Sequence, residues 1–155
     1  MLGKLDVSFN SPQCGWMSIG FSDGISEFHT TTAHAPHAAA LAELMQILTS
    51  LSDPASAQNE FTLKWNRDPE EFDFHFLRNG EKLILEIYQY PGEDRHDSDR
   101  EIVFSHAGTV GMTIAAFAKT LDQLYNDRDT DEFDFNWRQA FPHRQYGEFR
   151  AAISK

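Results

Sequence analysis

Three runs of alternating apolar residues between positions 60 and 90 constrain the fold more than any other feature of this sequence. In each run a large apolar side chain recurs at every second position, which is the period of a β-strand with one buried face. The apolar positions are Phe61, Leu63 and Trp65, then Phe72, Phe74 and Phe76, and then Leu83, Leu85 and Ile87. Asn79-Gly80 separates the last two runs and predicts a tight hairpin turn. The sequence therefore predicts an antiparallel sheet with one apolar face.

The turn also predicts a register for the second and third runs. If Asn79 and Gly80 are the two central residues of the turn, Arg78 lies opposite Glu81. The same register pairs Phe76 with Leu83, Phe74 with Leu85 and Phe72 with Ile87. Six large apolar side chains then share one face, and we expect their burial to be a main source of stability.

Residues 15–32 contain two further alternating runs around Asp23-Gly24, which predict a second hairpin. A two-residue turn places Ile19 opposite Phe28 and Phe21 opposite Ser26. One face then carries Met17, Ile19, Phe21 and Phe28, and the other carries Trp16, Ser18, Glu27 and His29. Residues 3–9 alternate less clearly and favour an additional strand before this hairpin.

Two segments show the helical period instead. Leu41, Leu44, Met45, Leu48 and Leu51 predict an amphipathic helix with Pro36 in its first turn, and Ile114, Phe117, Leu121, Leu124 and Tyr125 predict a second long helix. Pro142 opens a short C-terminal helix on which Tyr146, Phe149 and Ile153 share a face. We therefore expect a single α+β domain over residues 1–155, with an antiparallel sheet built from hairpins and two long helices packed on one face.

Composition excludes several classes of function. The 155 residues carry a formal net charge of −11, so the protein repels phosphate backbones and anionic lipids, and we expect neither a nucleic-acid nor a membrane partner. No apolar run approaches the length of a membrane span, and the N-terminal sequence has no basic and apolar regions of a secretory signal. With Cys14 as its only cysteine, the chain is expected to be cytoplasmic.

The acidic residues are unevenly distributed. Of the 24, 14 lie in the three short segments 68–73, 93–101 and 127–134, and such clusters attract a cationic protein. Alternation also directs Trp16 and Tyr88 away from the predicted core, where aromatic side chains favour protein interfaces. The predicted partner-binding residues are Trp16, Tyr88, Glu93, Asp94, Asp97, Asp99, Asp127, Asp129 and Asp131. The alternative is that the acidic runs are solvated loops that keep the protein soluble.

Motifs for catalysis, metals and cofactors fail on inspection. Asp127, Asp129 and Asp131 have the spacing that opens a calcium loop, but Glu132 and Arg138 occupy the positions that require glycine and a bidentate glutamate. His29 and His75, with Glu27 and Glu86, lie on the predicted polar faces of the two hairpins and form a weak candidate for a transition-metal site. The chain has no nucleophile elbow, dinucleotide fingerprint or phosphate-binding loop, so no catalytic residue, metal or cofactor is assigned.

The order of several motifs resembles that of small bacterial proteins which are similar to immunity proteins of polymorphic toxin systems. The motifs are Gly15-Trp16, Pro36 before a leucine-rich helix, the segment from Trp65 to Pro69, the strand from Leu83 to Ile87, and Phe141-Pro142. The resemblance implies a stand-alone binding protein that neutralises a toxin. An acidic surface suits that role, because it can steer onto a basic nuclease and block its nucleic-acid groove.

Three classes of function remain open at this point. The first is a non-enzymatic acidic binding protein of the immunity type with a cationic protein partner. The second is a metal-dependent enzyme that uses the histidine and carboxylate residues of the open sheet face. The third is an oligomeric structural protein, so a homo-oligomer is also possible.

Overall fold

A computed structural model describes residues 4–155, so that residue 3, the first of the strand expected over 3–9, lies outside the described residues. The strands are β1 (Asp6–Phe9), β2 (Trp16–Ser22), β3 (Glu27–Ala33), β4 (Glu60–Asn66), β5 (Glu71–Asn79), β6 (Lys82–Tyr90) and β7 (Glu101–Thr109). The helices are α1 (Ala40–Leu51), α2 (Val110–Asp127), α3 (Phe133–Trp137) and α4 (His143–Ile153), with a short 3₁₀ turn at Asp97–Asp99.

Within the described residues the strands form two antiparallel sheets, in the orders β1-β2-β3 and β4-β5-β6-β7. The α+β class and the hairpin pairing expected from the sequence are confirmed, but the strands divide between two sheets where a single sheet was expected. The division falls at α1, which connects β3 to β4, and these two strands share no ladder. The placement of both long helices on one sheet face stays a prediction.

The β5–β6 register differs from the expected one by two residues. Asn79 pairs with Lys82, so Phe76 lies opposite Leu85 and Phe74 opposite Ile87. The central residues of the turn are Gly80 and Glu81, and Gly80 has a φ of 63°, which suits the first central position of a hairpin turn. Because the side-chain period of a strand is two, this shift leaves every side chain on the face predicted for it.

The β2–β3 register shows the same difference for another reason. Ile19 pairs with Thr30 and Phe21 with Phe28, so the turn holds four residues, 23–26, and not two. The side chain of Asp23 accepts hydrogen bonds from the backbone N–H groups of Ile25 and Ser26, at 3.0 and 2.9 Å. These bonds stabilise the longer turn, and the shift of two residues again preserves the two faces.

The two long helices bury the apolar positions that predicted them, except Tyr125, which is half-buried. Leu41, Leu44, Met45, Leu48 and Leu51 are buried in α1, and Ile114, Phe117, Leu121 and Leu124 are buried in α2. Pro36 does not belong to the first turn of α1, because the helix begins only at Ala40. Thr109 caps α2 by accepting a hydrogen bond from the N–H of Met112 at 3.1 Å. α4 buries Phe149, as the C-terminal pattern predicts.

Both sheets and both long helices contribute to a common core. α1 packs against β4 and α4, whereas α2 packs against β1, β6 and β7. The largest side chains buried there include Trp65, Phe74, Phe117 and Trp137. The ring of Phe21 in the three-stranded sheet lies 5.9 Å from that of Phe74 and 5.7 Å from that of Phe104 in the four-stranded sheet. The apolar faces of the two sheets therefore meet within this core.

Two buried polar side chains join separate parts of the chain. Arg78 faces the core side of β5 and donates hydrogen bonds to the backbone carbonyl groups of Ser50, Leu51, Asp53, Ser56 and Gln58, and to Asn59 Oδ1. These bonds satisfy carbonyl groups at the C-terminal end of α1 and in the segment after it. His106 of β7 places its Nδ1 3.1 Å from Asp23 Oδ2 and so ties the β2–β3 turn to the other sheet.

Candidate functional site

The face of the four-stranded sheet that points away from the core is the first candidate site. Cross-strand pairs on this face are Asp73 with Tyr88, His75 with Glu86, and Leu77 with Ile84. Ile102 of β7 pairs with Tyr88 beside a β-bulge. The apolar side chains of Leu77, Ile84 and Ile102 are 39%, 38% and 53% exposed. We call these seven residues the sheet surface.

Hydrogen bonds fix the polar side chains of the sheet surface. His75 Nε2 forms a hydrogen bond with Glu60 Oε2 at 2.6 Å, whereas His75 Nδ1 lies 3.9 Å from Glu86 Oε1 and makes no hydrogen bond within the described residues. The hydroxyl of Tyr88 donates to Glu86 Oε1 at 3.1 Å. Burial, and then the hydrogen bond to Glu86, raise the pKa of Tyr88, so that its hydroxyl stays protonated and remains a donor. The arrangement gives this face a fixed pattern of apolar and acidic groups.

The segment 91–100, which we call the acidic loop, is anchored beside the sheet surface by Arg95. The guanidinium of Arg95 forms ion pairs with Glu71 and Asp73 and donates to the carbonyl oxygens of Trp65 and Phe72, each at 3.3 Å. Asp73 also accepts a hydrogen bond from the hydroxyl of Tyr90 at 2.8 Å. Arg95 therefore holds the loop against the beginning of β5.

A second arginine holds the other end of the acidic loop. The guanidinium carbon of Arg100 lies 4.0 Å from the centroid of the Tyr88 ring, within the range of a cation–π contact. Arg100 also lies 3.7 Å from a carboxylate oxygen of Asp97. The side chains of Glu93 and Asp94, just before Arg95, and of Asp97 and Asp99, between the two arginines, are exposed. The carboxylates predicted to bind a partner thus sit on a fixed loop.

The structure divides the predicted partner-binding residues between two places. Tyr88 lies beside the acidic loop, whereas Trp16, which is 41% exposed, belongs to the three-stranded sheet. The segment before Trp16 contacts the segment 127–134 and α3, because Ser11 Oγ donates to Asp131 Oδ2 at 2.6 Å and the N–H of Gly15 donates to the carbonyl of Asn136 in α3 at 2.6 Å. In that second acidic segment Asp129 and Asp131 are exposed and Asp127 is half-buried.

The weak metal candidates do not form one site. His29 and Glu27 lie on β3, where His29 Nε2 is 3.7 Å from Glu27 Oε2, and both side chains are largely exposed. His75 and Glu86 belong to the other sheet. Within residues 4–155, no group of three or more histidine, cysteine, aspartate or glutamate side chains is arranged to hold a metal ion.

A groove of about 900 Å³ lies between β1 and α2 and was not expected from the sequence. Its lining includes Lys4, Val7, Ala115, Lys119 and Leu124. The N–H of Phe9 donates to Thr120 Oγ1 at 2.6 Å, so α2 covers part of the exposed edge of β1.

Sequence reasoning missed several residues of these surfaces. Alternation places Leu77 and Ile84 on the sheet face that points away from the core, so the sequence pattern could have predicted that both are exposed. Ile102 is displaced by a bulge, which the sequence does not signal. Arg95 and Arg100 lie in a charged loop whose sequence does not indicate their partners.

Comparisons with models of protein families, with curated proteins and with solved structures find no match. In the part of the chain that the structure describes, no helix is both long enough and apolar enough to cross a membrane. The geometry of the sheet surface and of the acidic loop is therefore the basis for assigning a function.

Proposed function

We propose that this chain is a non-enzymatic acidic binding protein that engages a basic protein partner through the sheet surface and the acidic loop. The observation that carries the proposal is the exposure of Leu77, Ile84 and Ile102 on one sheet face, whose Tyr88–Ile102 end lies next to the four carboxylates of the acidic loop. Protein interfaces commonly have an apolar centre with a polar rim, and this face has both parts.

The apolar part supplies the contact area. Leu77 and Ile84 are a cross-strand pair, and Ile102 pairs with Tyr88, so these side chains form two apolar groups on the sheet, with the His75–Glu86 pair between them. Their positions are set by the ladder, and a partner does not have to order them on binding. Transfer of this surface from water into an interface is favourable by about 25 cal/mol per Å² of apolar area.

The acidic part supplies rate and selectivity. The net charge of −11 attracts a basic protein over several ångströms, and the acidic loop concentrates part of that charge at the edge of the sheet surface. Because Arg95 and Arg100 anchor the loop, its carboxylates are presented with little remaining conformational freedom. A positive patch on the partner then meets a preformed negative one, which favours fast and oriented association.

One role fits these properties and the resemblance described above. An immunity-type protein in the cytoplasm that covers the nucleic-acid groove of a basic nuclease toxin needs an acidic surface with an apolar centre. The nucleic-acid groove of such a toxin is itself basic, so it attracts an acidic protein more strongly than a neutral one.

The test is the association rate of the purified protein with a partner isolated from the native host. The loop variant combines Glu93→Gln, Asp94→Asn, Asp97→Asn and Asp99→Asn. The control combines Asp6→Asn, Glu43→Gln, Glu81→Gln and Glu148→Gln, which change the net charge equally at exposed carboxylates elsewhere. We expect the loop variant to lower the association rate tenfold or more at low ionic strength, and the control to lower it much less. An equal loss in both variants would mean that only the net charge matters.

A second pair of variants tests the apolar part. Ile84→Ala together with Ile102→Ala should increase the dissociation rate and leave the association rate nearly unchanged, since truncated interface anchors act mainly on dissociation. Ile25→Ala is the control, because Ile25 is 83% exposed in the turn of the other sheet. If the control and the double variant dissociate alike, the sheet surface is not the contact.

A further inference from the structure

Phe135 is exposed to an unusual degree for an aromatic side chain. Its relative exposure is 79%, compared with 41% for Trp16, whereas Phe133 and Trp137 on the same helix are 1% exposed. Leaving a phenylalanine in water forgoes roughly 1.5–3 kcal/mol of burial. A large apolar side chain in this state is a candidate contact for another molecule.

The short helix α3 directs Phe135 outward. Phe133 and Trp137 are four residues apart and therefore lie on one side of the helix, while Phe135 lies two residues from each and points to the other side. The Phe133 ring contacts that of Phe141 at 5.2 Å, and the Trp137 ring contacts that of Trp65 at 6.2 Å. Two buried aromatic residues thus hold the backbone that presents the exposed one.

Hydrogen bonds on both sides of Phe135 fix its backbone. Asp134 Oδ1 accepts the N–H of Phe141 at 2.8 Å. Asn136 Nδ2 donates to the carbonyl oxygens of Asp131 and Glu132, at 3.1 and 3.2 Å. The side chain is therefore displayed from an ordered support, and binding through it requires little ordering of the backbone.

The surroundings of Phe135 are acidic. Asp129, Asp131, Glu132 and Asp134 are exposed on the same segment. Arg128 does not neutralise them fully, because its guanidinium carbon lies 3.9 Å from the centroid of the Tyr125 ring and it donates to the Tyr125 carbonyl at 2.6 Å. Arg138 follows at the other end of α3.

Trp16 belongs to the same end of the molecule. The N–H of Gly15, which precedes Trp16, donates to the carbonyl of Asn136, which follows Phe135. We call Trp16, Phe135 and the four carboxylates the aromatic surface. It combines two exposed aromatic side chains with four exposed carboxylates.

We propose that the aromatic surface docks a basic protein, with Phe135 inserted into an apolar pocket that is rimmed by lysine or arginine side chains. A protruding aromatic side chain needs a concave partner, and the carboxylates around it need cations. An anionic membrane and a second copy of this acidic chain would both be repelled by these carboxylates. The inference rests on the proposed function only in taking the partner to be a basic protein, since the surface itself is distinct.

The experiment places the photo-crosslinking residue p-benzoylphenylalanine at position 135 of the whole chain in its native host. Position 84 reports on the sheet surface, and position 25 is the exposed apolar control. Proteins that form adducts are identified, purified and titrated against the unmodified chain. We expect position 135 to capture a protein of net positive charge. Phe135→Ala should weaken its binding tenfold or more, and Asp129→Asn with Glu132→Gln should weaken it further at low salt.

Three controls make the outcome decisive. Phe135→Ala should keep the melting temperature, because the side chain is exposed, and Ile25→Ala should change the affinity less than twofold. Adducts at position 84 alone would leave the proposed function standing and overturn this inference, and adducts at neither position would count against both. A crosslinked dimer of the chain, binding that Phe135→Ala does not weaken, or Phe135-dependent sedimentation with phosphatidylserine vesicles would each overturn it.

Discussion

Arg78 shows how much of this fold depends on single buried polar side chains. The residue is only 7% exposed, and its guanidinium donates hydrogen bonds to carbonyl groups instead of pairing with a carboxylate. The C-terminal end of α1 carries a partial negative charge and unpaired carbonyl oxygens, so a cation there satisfies both. From the sequence, Arg78 was expected opposite Glu81, and in the structure it lies opposite Leu83 instead. The shift of two residues leaves it on the face of Phe76, which is the core side.

Replacement of Arg78 by methionine should therefore be strongly destabilising. The variant keeps much of the apolar stem but leaves several buried carbonyl groups without donors, and we expect a loss of about 3 kcal/mol or more in the free energy of unfolding. Arg78→Lys should recover only part of this, because an ammonium cannot reach all of the same carbonyl groups. Urea titration measures the loss. The control is Arg144→Met at an exposed position of α4, and equal values for the two sites would contradict the assigned role.

Asp23 should make the free energy of unfolding depend on pH in the acidic range. Hydrogen bonds from the backbone of Ser26 and from His106 lower the pKa of Asp23 to about 2 from its ordinary 3.8. The folded state therefore prefers the charged form. The stabilisation is fully present above about pH 4 and is lost as the pH falls towards 2. The difference in unfolding free energy between the wild type and Asp23→Asn should shrink over this interval, as measured by urea titration. A constant difference would show that the carboxylate does not titrate in this way.

At the scale of elements, the hairpins show why faces are easier to predict than registers. Both registers differ from the expected ones by two residues, and a shift of two preserves the inward and outward side chains. Asp23-Gly24 and Asn79-Gly80 each mark a turn, but Asp23 forms side-chain bonds that lengthen one turn, and Gly80 takes the first central position of the other. The buried sides of β2, β5 and β6 could therefore be predicted, whereas turn geometry could not.

The element that sequence reasoning missed is α3, and the reason is its spacing. Phe133, Phe135 and Trp137 are two residues apart, which is the period of a strand, and the segment is too short to show a helical period. Burial of Phe133 and Trp137 selects the helical turn and leaves Phe135 outside. The long helices and α4 could be predicted because they are long enough for the helical spacing of apolar residues to repeat.

The aromatic face of β5 gives the test at this scale. Phe74 is 2% exposed and its ring lies within 6.2 Å of those of Phe21, Phe72 and Trp65. Phe74→Ala should lower the free energy of unfolding by about 3–5 kcal/mol. Leu77→Ala on the opposite face of the same strand should cost much less, because Leu77 is 39% exposed. A loss below about 1 kcal/mol for Phe74→Ala in denaturant titration would remove this residue from the core.

For the whole molecule, the dominant property is negative charge. A net charge of −11 repels itself across the surface, and the ion pairs in the structure offset only part of that repulsion. The two surfaces proposed for binding carry a share of this charge and are distinct from each other. The acidic segments could be identified from the sequence. Which exposed aromatic side chain lies beside each segment could not, because that depends on how the two sheets pack.

Self-repulsion of this size should be visible in thermal melting. Raising sodium chloride from about 20 to about 200 mM shortens the screening length from roughly 20 to roughly 7 Å, so we expect the melting temperature to rise. The rise should be smaller in the fourfold loop variant, which carries four fewer negative charges. A melting temperature that falls, or that does not respond, would indicate that attractive pairs outweigh the repulsion.

Each long helix contacts strands of the sheet that it does not follow in the chain, and this arrangement determines what would happen if the chain were cut in two. α1 follows the three-stranded sheet along the chain but packs against β4 and α4, while α2 follows the four-stranded sheet and packs in part against β1. A break in the segment between α1 and β4 would separate α1 from both β4 and α4, and would separate α2 from β1, although α2 would keep its contacts with β6 and β7. Two such fragments would recover their missing contacts only from each other. The fold is thus suited to fragment complementation, in which reassembly of two inactive pieces reports that they have met.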